Sequence, residues 1–396
     1  MLYLDNAATT PLHPKALEAM MPFMTSEFGN PSGVHAVSRK VKNALETARK
    51  NVSSALGVLP DEIYFTSGGT ESDNWAIVGA LDASKKGKHI ITTQVEHHGV
   101  YYLCKHLEKK GVNVTYLAVD SEGFIDLNEL EQAITHETCL VSVIYANNEV
   151  GTINPLAEIS KITKSKDVLF HTDAVQAVGH IPFSISDIGV DLLSLSAHKF
   201  YGPKGIGALY VRKGTRLAPY FIGGAQERNK RAGTENIAGI VGLDTALTIS
   251  IDELPSEQIR LTNLRDKLIR EIQTRIPHTK LNGSTGAKRL PGNVNISFKF
   301  IEGEGLLLHL DMLGVCASTG SACSSGALDP SHVLMAMGLS HELANGAIRF
   351  SLGKSCKEDD IDKIMSLLIP SVDKLRSLSP LYDDFIKHNK GVAHGV

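Results

Sequence analysis

Residues 168–211 read VLFHTDAVQAVGHIPFSISDIGVDLLSLSAHKFYGPKGIGALYV, and the alternation inside this stretch decides the fold. It holds three short apolar runs, VLFH (168–171), DLLSLS (191–196) and GALYV (207–211), each followed by polar residues. Runs of that length bounded by turn signals predict buried strands. Working outward, EIYF (62–65), HIITT (89–93), VTYLAV (114–119) and LVSVIYA (140–146) repeat the pattern upstream. Between them ESDNWAIVGALDAS, VYYLCKHLEKKG, LNELEQAI and LAEISKITKSK place apolar residues at helical spacing. Strand and helix in alternation predict crossover units on a mostly parallel, seven-stranded sheet, a doubly wound α/β domain.

Downstream the texture changes. A Gly- and Arg-rich segment, GGAQERNKRAGTEN (223–236), leads into a long helical region whose charged 252–275 portion reads as the exit from the large domain. Beyond Pro277, NVNISFKF and VCAST predict strands, while HELANGAIRFSLG and the run 358–378 predict helix, strand and helix, giving a smaller α+β domain. The expected division is a large domain at 13–257 and a small one built from 1–12 and 258–396, with HNKGVAHGV as a frayed tail.

At 396 residues, 42% hydrophobic and 21% charged, the chain has ordinary globular composition, which excludes wholesale disorder and fibrous repeats. Forty basic residues against 43 acidic ones give a net charge of −3, which argues against a dedicated nucleic-acid binder. The basic cluster RNKR (228–231) is better explained by a crevice or an interface. No basic n-region precedes an apolar stretch, and the run Leu306–Val315, broken by His309 and Asp311, falls short of the roughly 20 residues of a membrane span. Five cysteines without C-x-x-C spacing predict neither a disulfide framework nor a structural metal site. A cytoplasmic protein without bound metal, membrane or nucleic acid is expected.

Polar segments follow strand after strand: TSGGTESDN, EHHG, NNEVG, TDAVQ and SAHK. Loops at the carboxyl edge of an open parallel sheet form the ligand crevice, so these segments are predicted to converge. In Thr66-Ser67-Gly68-Gly69-Thr70 a glycine turn enters a helix that Thr70 is expected to cap, with Asp73 at capping-box spacing. Such a turn suits a phosphate, an ordinary capped turn being the alternative; it matches neither dinucleotide nor Walker A spacing. Lys199 follows a hydrophobic strand, where an amine can form a Schiff base, or be simply a surface lysine near a turn. Ser196 and His198 beside it are candidate phosphate donors. Asp173 ends LFHTD, three residues before Gln176; its carboxylate can hold a heterocyclic nitrogen protonated or cap the next helix. His97 can lie against a flat ring or move protons, or be structural. Cys323 stands among small residues, ASTGSACSSGAL (317–328), with little to pack, a setting for a delivered nucleophile; the other four cysteines read as packing residues. Arg349, in apolar AIRFSLG, needs a planar anion, either a substrate carboxylate or a structural partner.

Together these residues resemble a cysteine desulfurase of the NifS/IscS kind, a pyridoxal 5'-phosphate enzyme of fold-type I in the class V aminotransferase superfamily. The likeness runs nearly end to end, through YLDNAATTP, FGNPSGVH, FTSGGTESDN, VEHH, NNEVGT, HTDAVQAVG, SAHKFYGPKGIGALY, QERNKRAGTEN, STGSACSSG and IRFSLG. The resemblance implies that Lys199 binds the cofactor covalently, Asp173 pairs with its ring nitrogen, Gln176 reaches its ring hydroxyl and His97 stacks on the ring. It further implies that Gly69, Thr70, Ser196 and His198 hold the phosphate, with Thr234 of a second subunit. Arg349 and Asn148 would bind the substrate head, and Cys323 would take sulfur from L-cysteine as a persulfide, leaving L-alanine. A homodimer follows, with a sulfur-acceptor protein such as an iron–sulfur scaffold as partner. Selenocysteine lyase, cysteine-sulfinate desulfinase and a non-catalytic assembly scaffold are the alternatives. The tail after Leu381 does not resemble the scaffold-contacting end of some members.

Overall fold

The structure, a computed structural model, describes residues 1–319 and 330–392, with side chains through 388. Its organising element is a seven-stranded sheet of β1 (Ile63–Thr66), β2 (His89–Thr93), β3 (Asn113–Leu117), β4 (Thr138–Ser142), β5 (Leu169–Asp173), β6 (Leu192–Ser196) and β7 (Gly207–Val211). The spatial order is β1-β7-β6-β5-β4-β2-β3, and only β7 runs against its neighbours. The seven expected strands are therefore present, within a few residues at each end. Four of them, β2, β4, β6 and β7, are buried along their whole length, which is why they hold no Lys, Arg, Asp or Glu and show no polar face, their few polar residues being small hydroxyls and His89.

Both faces of the sheet are covered. One carries Phe65, Val141, Phe170, Leu193 and Tyr210 against Val41, Leu45 and Val52 of the helix at 36–56; the other carries Ile90, Leu140 and Leu209 against Trp75, Ala76 and Ala80 of α1 (Gly69–Ala83). The helix α2 (His98–Lys109) adds Val100, Cys104 and Leu107 to the second face. A 39-residue helix, α3 (Ile237–Arg275), serves two cores. Its first half packs Ile240, Leu243 and Leu247 with the large sheet, and its second half packs Leu261, Leu264, Leu268 and Ile272 with a separate cluster.

That second cluster surrounds an antiparallel sheet of β8 (Thr279–Leu281), β9 (Asn293–Phe298) and β10 (Ala347–Ser351), with β9 in the middle. The chain's start joins it: Leu2 and Tyr3 pair in parallel with Val315 and Cys316, and Leu2 and Leu4 lie in the cluster. The expected frayed tail is corrected in part, because a helix runs from Pro380 to Val392. Its first turns are held by Tyr382 and Phe385, whose rings pack tilted or edge-on against Phe300 and His278 at centroid distances of 4.8 to 5.5 Å. No helix among the described residues is long and apolar enough to cross a membrane.

Candidate active site

Crossover topology brings the carboxyl ends of β1, β2, β4, β5 and β6 to one edge, and a cavity of about 400 Å³ opens there. Ten of the twelve residues singled out from the sequence line it: Gly69, Thr70, His97, Asn148, Asp173, Gln176, Ser196, His198, Lys199 and Arg349. Thr234 does not; it is exposed and outside the cavity of its own chain. Cys323 lies outside the described residues.

One end of the cavity is built by backbone. Gly68 is the N-cap of α1 at φ +155°, and no side chain caps it. The first amide to close a helical bond is that of Ser72, to the Gly68 carbonyl, so the amides of Gly69 and Thr70 have no intrahelical acceptor. The expected cap by Thr70 is thus corrected: Thr70 sits inside the first turn, its hydroxyl is left to the cavity, and Asp73 closes no capping box. A Cβ at Gly69 would come within 2.7 Å of Val175 Cγ2, so the turn tolerates no larger residue without displacing Val175. Glu71 steadies the turn from outside, accepting the Ser67 amide at 2.8 Å and a bidentate pair from Arg231.

Lys199 emerges from the short helical turn after β6, and its Nζ donates to the carbonyls of Ala7 at 2.6 Å and Ala8 at 2.8 Å. Gln176 Nε2 reaches the same Ala7 carbonyl at 2.9 Å. His198 Nδ1 meets Thr9 Oγ1 at 3.1 Å. The N-terminal stretch 5–10 is therefore a wall of the cavity, a role no local pattern in the sequence announces.

Asp173 terminates β5 almost completely buried, its Oδ1 accepting the Val175 amide at 2.9 Å. Burial pushes its carboxyl up to about 6, while that amide and the Lys199 ammonium pull the other way. His97 is the N-cap of α2, its Nδ1 accepting the Gly99 amide at 3.1 Å, which leaves the ring proton on Nε2. Burial, reinforced by the Lys199 charge, lowers His97 to about 4, so the ring is neutral near pH 7; His198 is held at about 4 for the same two reasons.

Arg349, from the middle of β10, is 5% exposed. Its Nη2 donates to Asp5 Oδ1 at 2.8 Å and its Nη1 to the Asn148 carbonyl at 3.0 Å, while Nε has no partner. A guanidinium with an unused donor at a cavity wall can take a planar anion. Asp5, Asp73, Glu96, Glu149 and His332 also line the cavity, and the sequence reading gave none of them a site role. Burial pushes Glu96 up to about 8 and Glu149 to about 7, so both resist ionisation. Glu96 stands next to His97 in VEHH and could have been noticed there; Asp5, 344 positions from Arg349, could not.

The donor set fits pyridoxal 5'-phosphate: an amine and a buried carboxylate face one cavity, uncapped amides and hydroxyls (Thr70, Ser196) lie at a helix start, and a neutral imidazole stands between.

Comparison with known proteins agrees with this architecture. The family model described as aminotransferase class-V matches residues 2–364. The chain is 53% identical to a protein named cysteine desulfurase IscS from Clostridium botulinum over 98% of both chains. Among solved structures, one titled NifS-like protein superposes with a TM-score of 0.89 at 39% identity, covering 94% of this chain and all of that one. Another, titled SspA in complex with cysteine, gives a TM-score of 0.78 at 36% identity over 89% of this chain and 99% of that one. With its sheet, its cavity and these relatives in agreement, the chain belongs to the class V aminotransferase family.

Proposed function

We propose that this chain is a pyridoxal 5'-phosphate-dependent cysteine desulfurase that converts L-cysteine to L-alanine and passes the sulfur to Cys323. The observation that carries the reading is the meeting of an amine, a buried carboxylate and a buried guanidinium, Lys199, Asp173 and Arg349, in one cavity. The 53% identity to a named cysteine desulfurase and the cysteine bound by a structural neighbour support the same substrate.

When bound, the cofactor supplies an aldehyde that captures amines and a ring that withdraws electrons. Lys199 Nζ would be its covalent anchor and then the base for the substrate's Cα proton. Asp173, held in orientation by the Val175 amide, would keep the ring nitrogen protonated. Gly69, Thr70, Ser196 and His198 would hold the phosphate, and Gln176 the ring hydroxyl. His97 would face the ring, and it carries its exchangeable proton at Nε2. Arg349 takes the substrate carboxylate, with Asn148 beside it. The Cys323 thiolate attacks the substrate sulfur, so that an S–S bond forms as the Cβ–S bond breaks. The sum balances: L-cysteine and the Cys323 thiol give L-alanine and a Cys323 persulfide.

The persulfide then serves a sulfur-acceptor protein, an iron–sulfur scaffold being the chemistry that needs it, in the cytoplasm. The working unit is a homodimer in which Thr234 completes the other subunit's phosphate site. Supporting this, Thr234 is exposed, and Phe28, Val34 and Ile222 present apolar side chains to solvent at 78, 88 and 96% exposure. The two cores sharing α3 support a division into domains at 13–257 and at 1–12 with 258–396.

Incubating the purified yellow protein with L-cysteine and measuring alanine and sulfide tests the reading; absence of alanine overturns it. Cys323→Ser is expected to keep the cofactor colour and lose turnover.

A further inference from the structure

Asp73 lines the cavity, yet the reading above gives it no task. It is 1% exposed, and neither carboxyl oxygen has a hydrogen-bond partner. His171 lies behind it, with Nε2 at 3.6 Å from Oδ1. That imidazole is already engaged, Nδ1 with Ser142 at 2.8 Å and Nε2 with Ser194 at 3.0 Å, and burial lowers it to about 3, so it brings no positive charge. On the cavity side Asp73, His97 and Asp173 each place a polar side-chain atom within 4.8 Å of the others.

Such a trio invites a metal ion, but His97 Nδ1 already accepts the Gly99 amide and its other nitrogen carries the proton, so the ring offers no lone pair. The remaining chemistry is that of two neighbouring carboxyls. They differ in compensation: Asp173 has the Val175 amide and the Lys199 ammonium, whereas the titratable neighbours of Asp73 among the described residues are Glu96, Asp173 and the two neutral imidazoles, with the Ser194 hydroxyl favouring its ionised form. Two buried carboxyls with one set of compensating groups hold one negative charge between them.

We infer that Asp73 and Asp173 form a one-proton carboxyl pair in which Asp73, kept as the neutral acid, is a positioning residue that leaves Asp173 the single anion facing the cofactor's ring nitrogen. One carboxylate then balances one ring-nitrogen proton, and the site avoids a second buried anion, its cations Lys199 and Arg349 already acting on Asp173 and Asp5. Burial and the Asp173 charge both push the Asp73 carboxyl up, in keeping with this geometry. The inference rests on the reading that Asp173 meets that nitrogen.

Infrared difference spectra of the full chain, with and without pyridoxal phosphate, test it across pH 5 to 9. Wild type minus D73N is expected to reveal a protonated-carboxyl band that persists at about pH 7, the subtraction removing the contributions of Glu96 and Glu149. In D173N, with the neighbouring charge gone, the Asp73 band is expected to vanish at a pH lower by about two units, the effect of one charge about 5 Å away at an effective dielectric constant of about 20. The absorbance of bound cofactor in D73N is expected to titrate within about half a unit of wild type, since asparagine mimics a neutral acid. No Asp73 band at pH 7, or a band indifferent to D173N, overturns the pair. If D73N fails to accumulate, the same pair of spectra, with and without D173N, in a Glu96→Gln, Glu149→Gln background decides, since Glu96 also feels the Asp173 charge. Loss or retention of cofactor colour in D173N bears on the Asp173 reading and leaves the Asp73 band as an independent result.

Discussion

Asp5→Asn isolates the contest for Arg349. In the structure the guanidinium already holds a carboxylate, Asp5 Oδ1, 2.8 Å from Nη2, with side-chain exposures of 6% for the arginine and 23% for the aspartate. If Arg349 takes the substrate carboxylate as proposed, a substrate or product carboxylate must share or displace that partner. The bare Coulomb attraction at 2.8 Å is about 1.5 kcal/mol in bulk water and about 6 kcal/mol at an effective dielectric constant of 20. Desolvation and screening reduce such a partly exposed pair to a net value of about 1 kcal/mol. Asparagine keeps the Oδ1 acceptor and the backbone bonds from Ala8 and Thr9 but removes the competing charge. The expected result is a KM for L-cysteine and an inhibition constant for L-alanine both lowered about fivefold, the factor that 1 kcal/mol gives. Steady-state kinetics with alanine as product inhibitor measures both. Constants that stay put, or rise together, would show that Asp5 and the ligand do not compete for Arg349.

Arg349→Leu removes the carboxylate's partner altogether, and kcat/KM for L-cysteine is expected to fall about 100-fold or more, the equivalent of about 3 kcal/mol of charge-assisted bonding; a fall in kcat with KM unchanged would deny it the binding role. Lys199→Ala is expected to abolish alanine formation, and unaltered turnover would remove Lys199 from catalysis. Trp75→Ala empties a fully buried site and strips the Ala218 carbonyl of its indole donor at 2.9 Å, so urea unfolding is expected to show a loss of about 3–5 kcal/mol. Glu96 has a folded-state pKa raised from 4.5 to about 8, so it binds more protons folded than unfolded and its cost grows as pH rises from 4.5 to 8. Glu96→Gln is therefore expected to leave stability unchanged near pH 4 and to raise it by about 3 kcal/mol at pH 7, read from urea midpoints at the two pH values.

Much of this molecule was legible in one dimension. A strand buried on both faces excludes charged side chains and is rich in apolar ones, and the loops beyond a parallel sheet's carboxyl edge share one location, so β-runs followed by Gly69, His97, Asp173 and Lys199 disclosed both the sheet and the crevice. Helix starts were less legible. Thr70 has the composition of a cap, but Gly68 at φ +155° takes the N-cap position, because glycine alone enters that region without strain and the turn must leave its amides open.

What sequence by itself determined is the order of the seven strands from residue 63 onward, the sheet, and which amine, carboxyl and guanidinium residues would face its crevice; it gave no sign of the helices at 14–25 and 36–56. Only the tertiary structure decided who neutralises whom. Asp5 meets Arg349, Ala7 meets both Lys199 and Gln176, and Asp73 comes to lie beside Asp173, across separations of up to 344 residues. The pairings made by Asp5 and Ala7 arise because the first ten residues are drawn across the cavity by Leu2 and Leu4 in the second core and by backbone bonds to Ser351 and His198, whereas Asp73 meets Asp173 because the helix at 69–83 packs over the carboxyl end of β5. Local pattern reports how a residue sits on its own strand or helix; charge compensation depends on what the rest of the chain brings within a few ångströms, and that is settled by packing.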